Sequence, residues 1–440
     1  MQFSKRRDLR EEAFTAWANR GNNPGKTNNS EIVRETVQLR NEKARLLGFE
    51  NFAAFKLDDV MAKNTGAVEE LLTNVWGPAK ERALEEAADL QEMAQSEGDN
   101  IKIAPWDWRY YSEKVRSAKH DLDEAEIKPY FQLDQMIEAA FYTATRLFGL
   151  TFKELKGQDL YHPDLRVFEV FDKNNKHLGI FIGDYFARSS KRSGAWMSAF
   201  RSQQKLKGDI RPIIVNVMNF SKAPEGEPTL LTFDDARTLF HEFGHGLHGL
   251  MSNVTHPLVS GTSVARDFVE LPSQLFEHWL AQPEILKKFA RHYQSGEVIP
   301  EELLKRLLAA SNFNQGFATV EYLATAIVDM AIHKHETLAA LDPAQVEEKV
   351  LGDIGMPKEI IMRHRIPHLL HAFSGDGYSA GYYSYLWSEV MDADAFEAFE
   401  ETGDAFHADT ASKLEEFIYS AGGSQDPAKA IWISGAKCHP

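Results

Sequence analysis

Two histidines four residues apart, the first followed directly by a glutamate, form the run His241-Glu242-Phe243-Gly244-His245. On a helix, side chains four residues apart leave one face about one turn apart, so both imidazoles can reach a single metal ion. Glu242 lies between them, where its carboxylate can reach a water at the ion's open position and act as general base in a hydrolysis. Zn²⁺, one per chain, is the ion that suits such donors. The alternative, two histidines packed on a buried helix, accounts for neither Glu242 nor the acid that follows.

The chemistry requires a helix, and the flanking residues predict one. Thr232 is a candidate N-cap and Asp235 stands three residues later, as in a capping box, while Asp234 and Asp235 complement the positive end of the helix. Leu239, Phe240, Phe243, Leu247 and Leu250 then recur at helical spacing. The third ligand discriminates among zinc peptidases. A metzincin carries Gly and His where this chain has His248 and Met251. In peptidases resembling thermolysin or the aminopeptidases the ligating Glu would fall on Val264 or Ala265. The next acid suited to a second helix is Glu270, 25 residues after His245 and beyond a loop containing Ser260-Gly261-Thr262-Ser263. His241, His245 and Glu270 would leave a fourth position for water, as in a catalytic zinc site.

Three long motifs, FHEFGHGLHG (240–249), SGTSVARDFVELPSQ (260–274) and HAFSGDGYSAGYYSYLWSEV (371–390), stand in this order. With WDWRYYSEKVR (106–116) and DLDEAEIKPYF (121–131), they resemble the thimet oligopeptidase and peptidyl-dipeptidase family of zinc metallopeptidases. The segment 371–390 is most similar to the bacterial-type peptidyl-dipeptidase (dipeptidyl carboxypeptidase) branch. The resemblance implies a zincin-type peptidase. It also implies that Tyr378 and Tyr385 support the oxyanion, with His371 assisting, and that Tyr382 contacts substrate. Two departures stand out. Members of that family begin with a further helical region of roughly two hundred residues, one wall of a deep channel, whereas here the likeness begins almost at Met1. Self-association into a homo-oligomer is then the expected way to cover the exposed face. The end, from Ile431 to Pro440, also differs from the family's closing helix.

Chemistry alone gives the tyrosine segment a similar role. His371, Tyr378, Tyr382, Tyr383 and Tyr385 are interleaved with Ser374, Gly375, Gly377, Ser379, Ala380, Gly381 and Ser384, a composition that predicts a flexible segment able to close over substrate. Peptide hydrolysis develops negative charge on the carbonyl oxygen, which a phenol or imidazole donor stabilises. Tyr383 reads as a packing aromatic. His248 could reach the metal only from a bent helix and reads as packing or as support for a ligand; His278 reads as structural. Asp267 and Glu277 are candidates for acceptors that orient a ligating imidazole. Gly244 and Gly246 cost helix stability and so imply a closely packed neighbour. Arg188, Lys191 and Arg192 read as a solvated face rather than a site for a peptide carboxylate.

The remaining sequence supplies the scaffold. A chain of 440 residues, 43% hydrophobic, can bury a large core and hold more than one lobe. The expectation is one catalytic region of two lobes around a cleft, about 1–150 helical and 151–440 carrying the zinc site. A net charge of −16 opposes nucleic-acid binding. The sole cysteine, Cys438, suits a reducing compartment, and with no apolar leader or membrane segment visible the expected location is the cytoplasm. The run Ala318 to Ile332 contains Glu321 and Asp329 and is too short and polar to span a bilayer. Helical periodicity at 5–20, 30–47, 66–97 and 132–148 predicts a mainly α, multi-helix fold. Strand patterns at 165–171, 178–183 and 212–218 predict a small β-sheet beside the metal helix, its edge able to hold an extended peptide. The expected function is hydrolysis of short peptides, releasing C-terminal dipeptides, with Glu242 as base. An endo-acting oligopeptidase and a non-catalytic relative that binds zinc and peptides are the alternatives.

Overall fold

The computed structural model describes residues 1–334 and 342–434, so Cys438 and the end of the divergent C-terminal stretch lie outside the described residues. Helices α1 (Arg7–Ala18), α2 (Ser30–Leu46), α3 (Phe52–Leu57), α4 (Thr65–Ser96), α5 (Pro105–His120), α6 (Glu124–Ile127) and α7 (Leu133–Phe148) open the chain. Strands β1 (Thr151–Leu155), β2 (Arg166–Phe171), β3 (His177–Phe186), β4 (Trp196–Arg201) and β5 (Ile213–Phe220) follow. The chain then returns to helices α8 (Phe233–Leu250), α9 (Leu271–Leu280), α10 (Pro283–Phe289), α11 (Glu301–Ala309) and α12 (Gln315–Lys334). It ends through α13 (Pro343–Asp353), α14 (Leu370–Phe373), α15 (Ser384–Glu400), α16 (Ala408–Leu414) and α17 (Pro427–Ser434). The mainly helical fold with one small sheet is the one the periodicity predicts.

Two compact units are formed, Met1–Leu122 with Ala309–Tyr385 and Asp123–Leu308 with Leu386–Pro440. They do not divide near residue 150. The apolar face of α7, including Met136, Ile137, Ala140, Phe141 and Ala144, is buried in the second unit, where Phe141 meets Phe243 of α8 at 5.4 Å between ring centroids.

In the first unit, α12 packs along α4. Gly316 permits the approach, because a Cβ there would lie 2.5 Å from the Ala83 nitrogen. The buried Glu86 carboxylate accepts from the Gly316 and Phe317 N–H groups at 3.1 and 2.8 Å, satisfying donors that every helix start leaves open. The apolar run of α12 is therefore core, and among the described residues no helix is long and apolar enough to cross a membrane.

In the second unit, the sheet has the order β1-β2-β3-β5-β4, with β3 and β5 parallel and the other pairs antiparallel. The β2–β3 hairpin turns where Asp172 accepts from the Asn174 and Lys176 N–H groups, each at 2.9 Å, and Asn175 takes a left-handed φ of 58°. Strands β1 and β4 escape sequence patterning because they are the edges. Most of their side chains are exposed or half-exposed, so pairing with β2 and β5 rests on backbone hydrogen bonds rather than apolar alternation. One face of the sheet buries Val167, Ile182, Val215 and Val217. On α8, Phe243 meets Phe181 of β3 at 5.2 Å and Phe276 of α9 at 5.7 Å between ring centroids. That aromatic anchor, about 200° round the helix from His241, sets the rotation of α8.

Candidate metal centre

Helix α8 begins as its sequence predicts. Thr232 Oγ1 accepts from the Asp235 N–H and Asp235 accepts from the Thr232 N–H, both at 3.0 Å. The glycines then let backbone approach. A Cβ on Gly244 would lie 2.6 Å from the Pro272 carbonyl oxygen and 2.7 Å from the Ser273 Cα, so only glycine brings α8 this close to α9. Gly246 faces Asn216 of β5, and Gly249 faces Met197 of β4 and Ile214 of β5. Glu270, immediately before α9, is thereby delivered to the histidine face.

His241 Nε2 and His245 Nε2 lie 3.2 and 3.0 Å from Glu270 Oε2, and the three donor atoms all fall within 4.8 Å of one another. Neighbouring donors on a tetrahedral ion with bonds of about 2.0–2.1 Å stand about 3.3 Å apart, close to both histidine–glutamate separations. His241 Nδ1 lies 2.7 Å from Glu277 Oε1, an acceptor that leaves Nε2 free to ligate. Of the two candidate orienting acids, Glu277 is the one at the imidazole; the Asp267 backbone carbonyl instead accepts from Ser388 Oγ at 2.7 Å. Ser273 Oγ donates to Glu270 Oε2 at 3.1 Å. Glu242 is buried beside this group, and its Oε2 has no hydrogen-bond partner among the described residues.

Burial raises the Glu242 carboxyl above its ordinary pKa, with the histidines opposing. Burial would also raise Glu270, but His245 and His241 hold it well below the ordinary value. Burial would lower His241, yet Glu270 and Glu277 carry it well above. Carboxylates that attract a proton to this imidazole attract a metal cation for the same electrostatic reason.

His248 packs rather than ligates. It is fully buried, neither ring nitrogen has a hydrogen-bond partner among the described residues, its ring sits edge-on to Tyr419, and burial pushes its pKa down to about 3. His278 stacks on Phe396 at 4.5 Å and contacts Asp392 at 2.7 Å. The solvated face expected at Arg188, Lys191 and Arg192 holds at exposed Arg192 but is corrected at Arg188 and Lys191. Arg188 grips both oxygens of buried Asp184 at 2.7 and 2.8 Å, and Lys191, its side chain 2% exposed, donates to Asp184 and to the Phe186 and Met218 carbonyls. Buried charge demands such pairing, while Arg192 lies over the Trp196 ring.

In the first unit, His371, Tyr378, Tyr382 and Tyr385 form one aromatic cluster. Tyr378 and Tyr385 stack at 5.5 Å and 7°, and His371 lies 5.2 Å from Tyr382 and 5.8 Å from Tyr378 between ring centroids. Tyr382 and Tyr383 are buried, and burial pushes the Tyr382 phenol up to about 12. The expected flexibility is also a correction. The N–H groups of Ala380, Gly381 and Tyr382 donate to the buried Asp329 carboxylate at 3.1, 3.0 and 3.1 Å, which pins the middle of the segment. Nothing local in the sequence announced that role; the available signal was an acid inside the apolar run of α12.

A family model described as peptidase family M3 matches residues 1–439. This chain belongs to peptidase family M3. Among M3 relatives, dipeptidyl carboxypeptidase of Escherichia coli (strain K12) is 41% identical over 424 residues, covering 96% of this chain and 62% of that protein. Oligopeptidase A of the same strain is 38% identical over 441 residues, covering 97% of this chain and 64% of that protein. The chain thus spans less than two thirds of the length of these curated relatives. A solved Pyrococcus furiosus carboxypeptidase aligns with 97% of this chain and 75% of its own at a TM-score of 0.48 and 13% identity, too distant to bear on activity.

Proposed function

We propose that this M3 chain is a zinc-dependent peptidase that releases dipeptides from the C-terminus of short peptides. The observation that carries the reading is the convergence of His241 Nε2, His245 Nε2 and Glu270 Oε2, all within 4.8 Å of one another, with Glu242 buried beside them and its Oε2 without a hydrogen-bond partner among the described residues. His241, His245 and Glu270 would hold the zinc, which when bound would supply Lewis acidity toward the scissile carbonyl and toward the attacking water. Glu242 takes the proton from that water and returns it to the leaving amine. Glu277 keeps the His241 ring oriented. Edge strand β4, beside α8, offers backbone groups to an extended peptide. Tyr385 and Tyr378 donate to the oxygen on which charge develops, with His371 assisting and Tyr382 contacting substrate.

Exo-type cleavage is supported by the relative named dipeptidyl carboxypeptidase; the relative named oligopeptidase A supports internal cleavage as the second reading. Mass spectrometry of the products from one peptide with a free and with an amidated C-terminus separates them. Dipeptides released only from the free form are expected. Internal cuts in both forms establish the oligopeptidase reading, and zinc binding without any cut refutes both.

A further inference from the structure

Beneath the tyrosine cluster lies a second group of buried polar side chains from α2 and α12. Arg40 donates through Nη2 to the carbonyl oxygens of Ala372 and Gly375 at 2.6 and 2.7 Å. Its Nη1 lies 3.0 Å from His333 Nε2. A guanidinium has only donors, so that imidazole nitrogen must be the acceptor and the ring proton must sit on Nδ1. Nδ1 in turn lies 2.9 Å from the Asp329 carbonyl oxygen and 3.0 Å from Asp329 Oδ1. The Asp329 carboxylate completes the path by accepting from Ala380, Gly381 and Tyr382. Phe52 and Phe373 lie against both the guanidinium and the imidazole, which excludes water from the group.

We infer that Arg40, His333 and Asp329 form a positioning clamp for the tyrosine donors. Arg40 holds the segment before Tyr378 by its carbonyls, Asp329 holds the segment after it by its N–H groups, and His333 locks the two charges in register. Tyr378 lies between the two grips and Tyr385 follows the second by three residues, so the backbone that carries both rings is held by charged hydrogen bonds in a site of low dielectric. Ala380 bears the cost. It takes a left-handed φ of 51°, unusual for a residue with a side chain, and that conformation turns three successive N–H groups toward one carboxylate. None of the three clamp residues touches substrate in this scheme, which rests on the tyrosine roles of the proposed function.

The test uses Arg40→Lys, whose single ammonium cannot serve both carbonyls and the imidazole, and Asp329→Asn, which substitutes an NH₂ for one acceptor. Two readouts apply. Hydrogen exchange of the peptide covering residues 374–385 should rise in both variants while peptides from α8 keep their protection. On a peptide substrate kcat should fall about 10- to 100-fold with KM and zinc content unchanged, the scale of a misplaced catalytic donor. The discriminating experiment repeats Arg40→Lys in a Tyr378→Phe, Tyr385→Phe background. A clamp acting through the tyrosines costs little more there, whereas a general structural defect costs the same in both backgrounds and overturns the inference. Unchanged exchange, or raised exchange with unchanged kcat, also overturns it. If the wild-type chain cleaves no peptide, the functional reading fails and the catalytic half of this inference fails with it; the exchange data still decide whether the clamp holds the segment.

Discussion

The metal helix and the tyrosine segment are each held in place by opposite means. On α8 the placement is achieved by omission: glycines at 244, 246 and 249 remove side chains, so that α9, β5 and β4 approach its backbone and carry Glu270 to the histidines. Along 371–385 the placement is achieved by addition, with charged groups from α2 and α12 reaching in to seize backbone carbonyls and N–H groups. Close packing tolerates almost no displacement. Hydrogen bonds hold less rigidly but with more direction, as a loop without regular backbone pairing requires. The proposed metal ligands and the proposed oxyanion donors thus rest on different supports.

The largest expected effect breaks the metal side. His245→Ala should lose stoichiometric zinc and all measurable turnover while the fold persists, since a chain of 440 residues does not need an ion to form its core; one tightly bound zinc by elemental analysis with normal turnover would refute the ligand assignment. Glu242→Gln separates binding from chemistry. It should retain zinc and peptide yet lose about 10²–10⁴-fold in kcat, and near-normal kcat at full zinc occupancy would end the general-base role.

Tyr385→Phe probes the other region. Removing one donor to the developing oxyanion should lower kcat by about 10²–10³-fold with little change in KM. A rise in KM alone would make Tyr385 a substrate-binding group instead.

The packing argument is sharpened by a pair of glycine changes. Gly244→Ala forces α9 away and should cost about 1–3 kcal/mol in denaturant unfolding together with weaker zinc binding. Gly246→Ala meets its nearest neighbour only at 3.2 Å, the Asn216 side chain, and should cost clearly less. Equal losses in the two variants would remove the α8–α9 approach as the device that places Glu270.

The smallest effect is expected at His364, beside His371 in the tyrosine cluster. Burial, with the neighbouring charges of His371 and Arg363, pushes its pKa from 6.5 down to about 3. Between those values the unfolded chain binds a proton that the folded chain refuses, so stability is full above about pH 6.5 and declines as pH falls toward 3. His364→Gln should therefore lose less stability than wild type between pH 7 and pH 5. Parallel losses in denaturant titrations would show that the ring is not held neutral by the fold.

Much of the metal centre is legible in the chain because helical periodicity is local. Spacing places His241 and His245 on one face, Thr232 and Asp235 start the helix, and the glycines announce close neighbours, all within twenty residues of one another. Glu270 could be named because it is the next acid suited to a second helix beyond the loop that follows the histidines. Edge strands β1 and β4 could not, since backbone pairing leaves little apolar pattern at an edge. Nor could the pairing of Asp184 with Arg188 and Lys191, because a charged residue looks alike in sequence whether solvated or buried. Arg40, His333 and Asp329 stand furthest from legibility: Arg40 is separated from His333 by 293 residues and from Ala372 by 332. What the sequence determined by itself is chemistry whose geometry one helix can supply. What the tertiary structure alone decided is which distant charges are desolvated together, because desolvation is a property of the surroundings and not of the residue.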